Sequence, residues 1–64
     1  NKMNFELYEV WGVDERGHEE LIETTSSRKE AVKLAEDSIG TDYIQTIIYK
    51  ENEDGDLDEV ERFE

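Results

Sequence analysis

The chain has 64 residues, 19 Asp and Glu against 7 Lys and Arg, and a formal net charge of −12; 34% of residues are hydrophobic and 41% are charged. One small core is the most that such a length can build, and without a single Cys no disulfide framework supports it. The longest apolar run, Ile47-Ile48-Tyr49, is too short for a membrane span, and the acidic excess argues against direct nucleic-acid binding, which needs cations to displace phosphate counterions.

High charge with low hydrophobicity is the compositional mark of disorder. Here the apolar residues are grouped in short periodic segments, which predicts an ordered domain. Residues 5–14, FELYEVWGVD, predict a first strand, with Phe5, Leu7, Glu9, Trp11 and Val13 on one side and Tyr8 and Val10 on the other. Apolar residues on both sides suit a central strand. Gly12 interrupts it and predicts either a bulge or the close approach of another backbone. Glu15-Arg16-Gly17-His18 predicts a turn, with Gly17 free to take positive φ. A second strand follows over about residues 19–25, around Leu21 and Ile22.

Ser27 and Glu30 have the spacing of a capping box, in which each side chain accepts from the other's amide. The helix it opens runs over residues 28–39, with Ala31, Val32, Leu34, Ala35 and Ile39 on one face and Gly40 just past the end. Arg28 and Lys29 in the first turn, and Glu36 and Asp37 in the last, oppose the helix macrodipole, so packing must hold this helix.

Residues 43–51, YIQTIIYKE, predict a third strand, also central, with Ile44 and Ile48 on one side and Tyr43, Ile47 and Tyr49 on the other. Asp54-Gly55 predicts a type I′ hairpin turn. Residues 57–63 close the chain as a strand sparse in apolar residues and acidic enough to guard a sheet edge. No internal repeat is visible. The sum is one α+β domain over residues 1–64, ββαββ, with a four-stranded antiparallel sheet in the order 2-1-3-4 and one helix packed on one face. Residues 1–3 read as a frayed end, or as one in which Asn1 and Lys2 precede a native start at Met3.

One helix covers one face, and the other must meet water or a partner. Tyr8, Trp11, Tyr43 and Tyr49 are the candidates for an aromatic interface there, including a homodimer interface. A slip of one residue in register would exchange the two sets of side chains.

The charge is segregated. Residues 1–27 hold seven acids against Lys2 and Arg16, residues 28–50 hold four of each sign, and residues 51–64 hold eight acids against Arg62. The negative field therefore comes from the two hairpins. Glu51, Glu53, Asp54, Asp56, Asp58, Glu59 and Glu61 are the candidate residues for meeting a basic protein surface.

Little else suggests chemistry. Around Gly55, Asn52, Asp54 and Glu61 fall at ligand positions of a calcium-binding EF-hand loop, but Lys50 takes the first ligand position and strands flank the loop where helices are needed. Weak Ca²⁺ association is the most this predicts; no metal site and no cofactor are expected. His18 stands alone in a turn, and Thr24, Thr25, Ser26 and Ser27 belong to a strand end and a helix cap with no general base beside them. No glycine-rich phosphate loop exists. An enzyme is not expected.

Small size, strong acidity, absence of cysteine and hairpins around a helix give the chain a composition that resembles the phage and mobile-element inhibitors that imitate DNA. The resemblance carries no motif and transfers no residue role. Three expectations follow. The first is a cytoplasmic, non-enzymatic module that binds a basic protein surface, with no direct contact to nucleic acid or membrane. The second is a DNA mimic that blocks a nucleic-acid-binding protein. The third is a structural homodimer whose acidity serves solubility alone.

Overall fold

The computed structural model describes residues 7–64, so Phe5, expected at the head of the first strand, lies outside the described residues. The elements are β1 (Tyr8–Val13), β2 (Glu19–Thr25), α1 (Arg28–Ser38), β3 (Gln45–Glu51) and β4 (Leu57–Phe63). They form a four-stranded sheet in the order β2-β1-β3-β4 with every neighbouring pair antiparallel, and α1 packs on one face, as the sequence predicts. Among the described residues no helix is long and apolar enough to cross a membrane.

Alternation along β1 and β3 decides which side chains meet the helix. Tyr8, Val10 and Ile48 are buried with Ala31 and Ala35, and Ile22, Val32, Leu34, Val60 and Phe63 pack around them. Ala31 and Ala35 lie one turn apart, and their small side chains let the helix come down onto Val10 and Ile48. Thr46, also fully buried, donates from Oγ1 to the Ala35 carbonyl at 2.9 Å. That carbonyl is among the last four of the helix, which have no acceptor role within it, so β3 supplies part of the C-terminal cap.

At the other end the capping box is relayed. Ser27 Oγ accepts from the Glu30 amide at 3.2 Å, as predicted. The return bond runs through Thr25, whose Oγ1 accepts from the Ser27 amide at 3.1 Å and donates to Glu30 Oε2 at 3.0 Å.

The sequence holds no repeat, yet the two hairpins are built alike. Each residue of the first hairpin has a counterpart 38 positions on, Val10 to Ile48 and Ile22 to Val60 among them. Val10 and Ile48 pair directly across the centre of the sheet, so a pseudo-two-fold axis passes through that pair, normal to the sheet. Both hairpins carry a bulge at the equivalent place: Ile22 is the extra residue opposite Val10 and Trp11, and Val60 the extra residue opposite Ile48 and Tyr49. A bulge twists the edge strand locally. Here it delivers the one β-branched apolar residue of each edge strand to the core.

The turns match as well. Asp14 Oδ1 accepts from the amides of Arg16 and His18, both at 2.9 Å, and Asn52 Oδ1 accepts from Asp54 and Asp56 at 2.9 and 3.1 Å. The amides of Gly17 and Gly55 close each turn onto the carbonyls of Asp14 and Asn52. Both glycines have φ near +85°, and among the described residues no other residue type takes positive φ. The predicted type I′ turn would need Asp54 in that region too, so it is replaced by a three-residue loop with glycine at its third position.

Two more expectations shift. The third strand starts at Gln45, two residues later than predicted, and Ile44 is 55% exposed instead of sharing the buried side with Ile48. No bulge falls at Gly12, which pairs regularly with Glu20; the extra residue, Ile22, is on β2. What approaches Gly12 is a side chain and not a backbone: a Cβ there would stand 2.5 Å from the ring of Tyr43.

Candidate functional site

The helix leaves the other face of the sheet open, and cross-strand pairing fixes what lies on it. One row runs Leu21, Trp11, Ile47, Arg62; the next runs Thr24, Glu9, Tyr49, Glu59. The pseudo-two-fold exchanges these rows, so an apolar half of the face is matched by an acidic half. Ile47 is 2% exposed although no helix covers it, while Leu21 beside it is 48% exposed.

Of the four aromatics expected at an interface, two are not there. Tyr8 belongs to the core beneath the helix, at 5% exposure. The ring of Tyr43 covers Gly12 on the helix side, and its hydroxyl donates to Glu20 Oε2 at 3.2 Å. Desolvation first, and the Glu20 carboxylate second, push the Tyr43 hydroxyl above its ordinary pKa. Their residue type gave no sign of this, because the strand period alone cannot say which face the helix takes.

Trp11 and Tyr49 do share the open face. Their rings meet edge to face, with centroids 6.5 Å apart and planes at 85°. The Trp11 indole Nε1 donates to Glu9 Oε1 at 2.9 Å, and Glu9 is the direct cross-strand partner of Tyr49. Partial burial, then the carboxylates of Glu19 and Glu59, raise the Tyr49 pKa. Glu9, Leu21 and Ile47 therefore join the aromatic pair, and the alternation Leu7, Glu9, Trp11, Val13 was the sequence signal for the first of them.

The acidic candidates divide by their partners. Glu59 accepts from Arg62 Nε at 3.2 Å and Nη2 at 2.8 Å, which holds its carboxyl below the usual range and raises the guanidinium. Arg62 also donates from Nη1 to Gln45 Oε1 at 3.2 Å. Glu61 lies 3.8 Å from Arg28 Nη2 on the helix side. Asp58 accepts from the Asn52 side-chain amide at 3.3 Å. Glu51, Glu53, Asp54 and Asp56 are exposed, and none of them has an ion-pair partner among the described residues.

These last four surround the second turn, at one end of the sheet. The first turn, with Asp14 and Glu15, stands at the opposite end, because β1 and β3 are antiparallel neighbours. Among the described residues no three His, Asp or Glu side chains are grouped as metal ligands would be. No known family matches the chain, and no curated protein or solved structure is significantly similar to it. Whatever is read of its function comes from this surface.

Proposed function

We propose that the chain is a non-catalytic interaction module that binds a basic protein surface through its acidic hairpins, chiefly the second. The observation that carries this reading is the exposed set Glu51, Glu53, Asp54 and Asp56, which has no ion-pair partner among the described residues, around a turn that Asn52 ties internally. A tied turn presents its carboxylates without first losing conformational freedom, and their field raises the rate of encounter with a cationic partner.

A DNA mimic needs a longer track of uncompensated charge. On β4 that track is broken where Arg62 takes Glu59 and Arg28 approaches Glu61. A homodimer through the open face would bring two chains of net charge −12 together. Both readings are the weaker for it.

The test is affinity capture of basic proteins from a lysate on the immobilised chain and on an Asp56→Lys/Asp58→Lys variant, with circular dichroism to confirm that both are folded. The module reading expects a partner that is released by salt and lost from the variant. A partner released by duplex DNA favours mimicry, and a partner held equally by the variant overturns the acidic site.

A further inference from the structure

We infer that the open sheet face is a receptor for an arginine side chain of that partner, with Glu9, Trp11 and Tyr49 forming the receptor and the exposed Leu21 the apolar surface beside it. The inference rests on the proposed module and names the place and chemistry of one of its contacts.

Three observations meet here. Glu9 is fixed by the bond from the Trp11 indole to Oε1, and Oε2 has no donor among the described residues. The edge-to-face arrangement of Trp11 and Tyr49 leaves ring surface uncovered that a stacked pair would hide. Glu9 and Tyr49 are direct neighbours across the strands, so a guanidinium bonded to Glu9 Oε2 has an aromatic face within its reach. A planar cation can stack on a ring and donate in its own plane at once; an ammonium cannot.

Charge decides the occupant. The one cation of this face among the described residues is Arg62, already held by Glu59 and Gln45. A second copy of the chain would bring Glu9, Glu51 and Glu59 against the same residues with no spare cation between them. An anionic lipid surface meets the same repulsion. An arginine flanked by apolar residues complements both halves of the face.

Trp11 is the only tryptophan, so its emission reports on the site. The experiment titrates the full chain with an oligoarginine and an oligolysine peptide of equal length at fixed ionic strength. The expected result is a shift of Trp11 emission with oligoarginine and a dissociation constant about threefold or more below that for oligolysine. Glu9→Gln, a change of charge with almost no change of shape, should bring the two peptides level, and Tyr49→Leu should do the same. Asp56→Lys/Asp58→Lys should weaken both peptides by a common factor and keep their ratio. No binding by either peptide, equal binding of both, a ratio that survives Glu9→Gln, or sedimentation as a dimer with Trp11 shielded each overturns the arginine receptor. Loss of the arginine preference with the common effect of Asp56→Lys/Asp58→Lys retained would leave the acidic module standing without it.

Discussion

The ring of Tyr43 lies where any side chain at position 12 would have to stand: a Cβ on Gly12 would come within 2.5 Å of its Cγ and Cδ1. Gly12 is thus a packing residue on the helix side of β1, directly paired to Glu20, which receives the Tyr43 hydroxyl. Gly12→Ala should cost about 1–3 kcal/mol, since ring or strand must move. The penalty should shrink when Tyr43 is also changed to Ala, and a double-mutant cycle by urea denaturation measures the coupling. Additive effects would mean that the two residues do not share this space.

The two turns provide their own internal control. Asp14 and Asn52 accept equivalent pairs of amides, but one acceptor is charged and the other is not. The His18 amide first, with Arg16 and Gly17 adding to it, holds the Asp14 carboxyl below its ordinary value. A lowered pKa means stability that is present above the unfolded value, about 3.9, and lost as pH falls through the folded one. Asp14→Asn should therefore lower stability between pH 5 and 7, where the carboxylate is ionised. Below about pH 4 the wild type should lose ground to the variant. Thermal unfolding across that range measures the difference, and a constant offset between the two proteins would remove the carboxylate from the account.

Much of this architecture is legible in the residues themselves. Period-two alternation, the Ser27 cap and the acidic edges specify four strands, one helix and their order, because each is a local preference that the tertiary structure also satisfies. The split of the aromatics was not legible. Tyr8 and Trp11 stand on opposite faces of one strand by parity, but only the docked helix decides which face is the core. The bulges at Ile22 and Val60 depend on pairing across strands and leave no composition signal. The duplicated hairpin was partly visible in the shared Asp/Asn-x-x-Gly spacing of the two turns, and hidden because the equivalent rows of the open face carry different chemistry.

Thr46 links the helix to the sheet by its one hydroxyl. Its buried Oγ1 gives the Ala35 carbonyl a donor that the end of the helix lacks, so Thr46→Val keeps the shape and removes the bond. The expected loss is about 1–2 kcal/mol, because a buried acceptor is left short of a partner. Amide hydrogen exchange should quicken in the last turn of α1 more than in its first turn. Uniform change along the helix would mean that the hydroxyl does not act as a cap.

Salt should stabilise this protein. With a net charge of −12 on one small domain, folding brings carboxylates of both hairpins closer than the unfolded chain requires, and screening relieves that repulsion. Few attractive pairs between the described residues stand to be screened in return: Arg28 is 3.8 Å from Glu61, and the Arg62–Glu59 pair at 2.8 Å is exposed. Exposed pairs contribute little, so the repulsive sum dominates. The unfolding midpoint in urea should rise steadily as NaCl is added up to about 0.5 M and level off where the Debye length falls to a few ångströms. At matched ionic strength CaCl₂ and MgCl₂ should act alike, since the carboxylates around the second turn are not grouped about a point. A midpoint insensitive to salt would show that the hairpins' charges are already balanced. A response to Ca²⁺ far above that to Mg²⁺ would show that the turn gathers an ion, and the acidic end would then have to be read as a metal site before it is read as a docking surface.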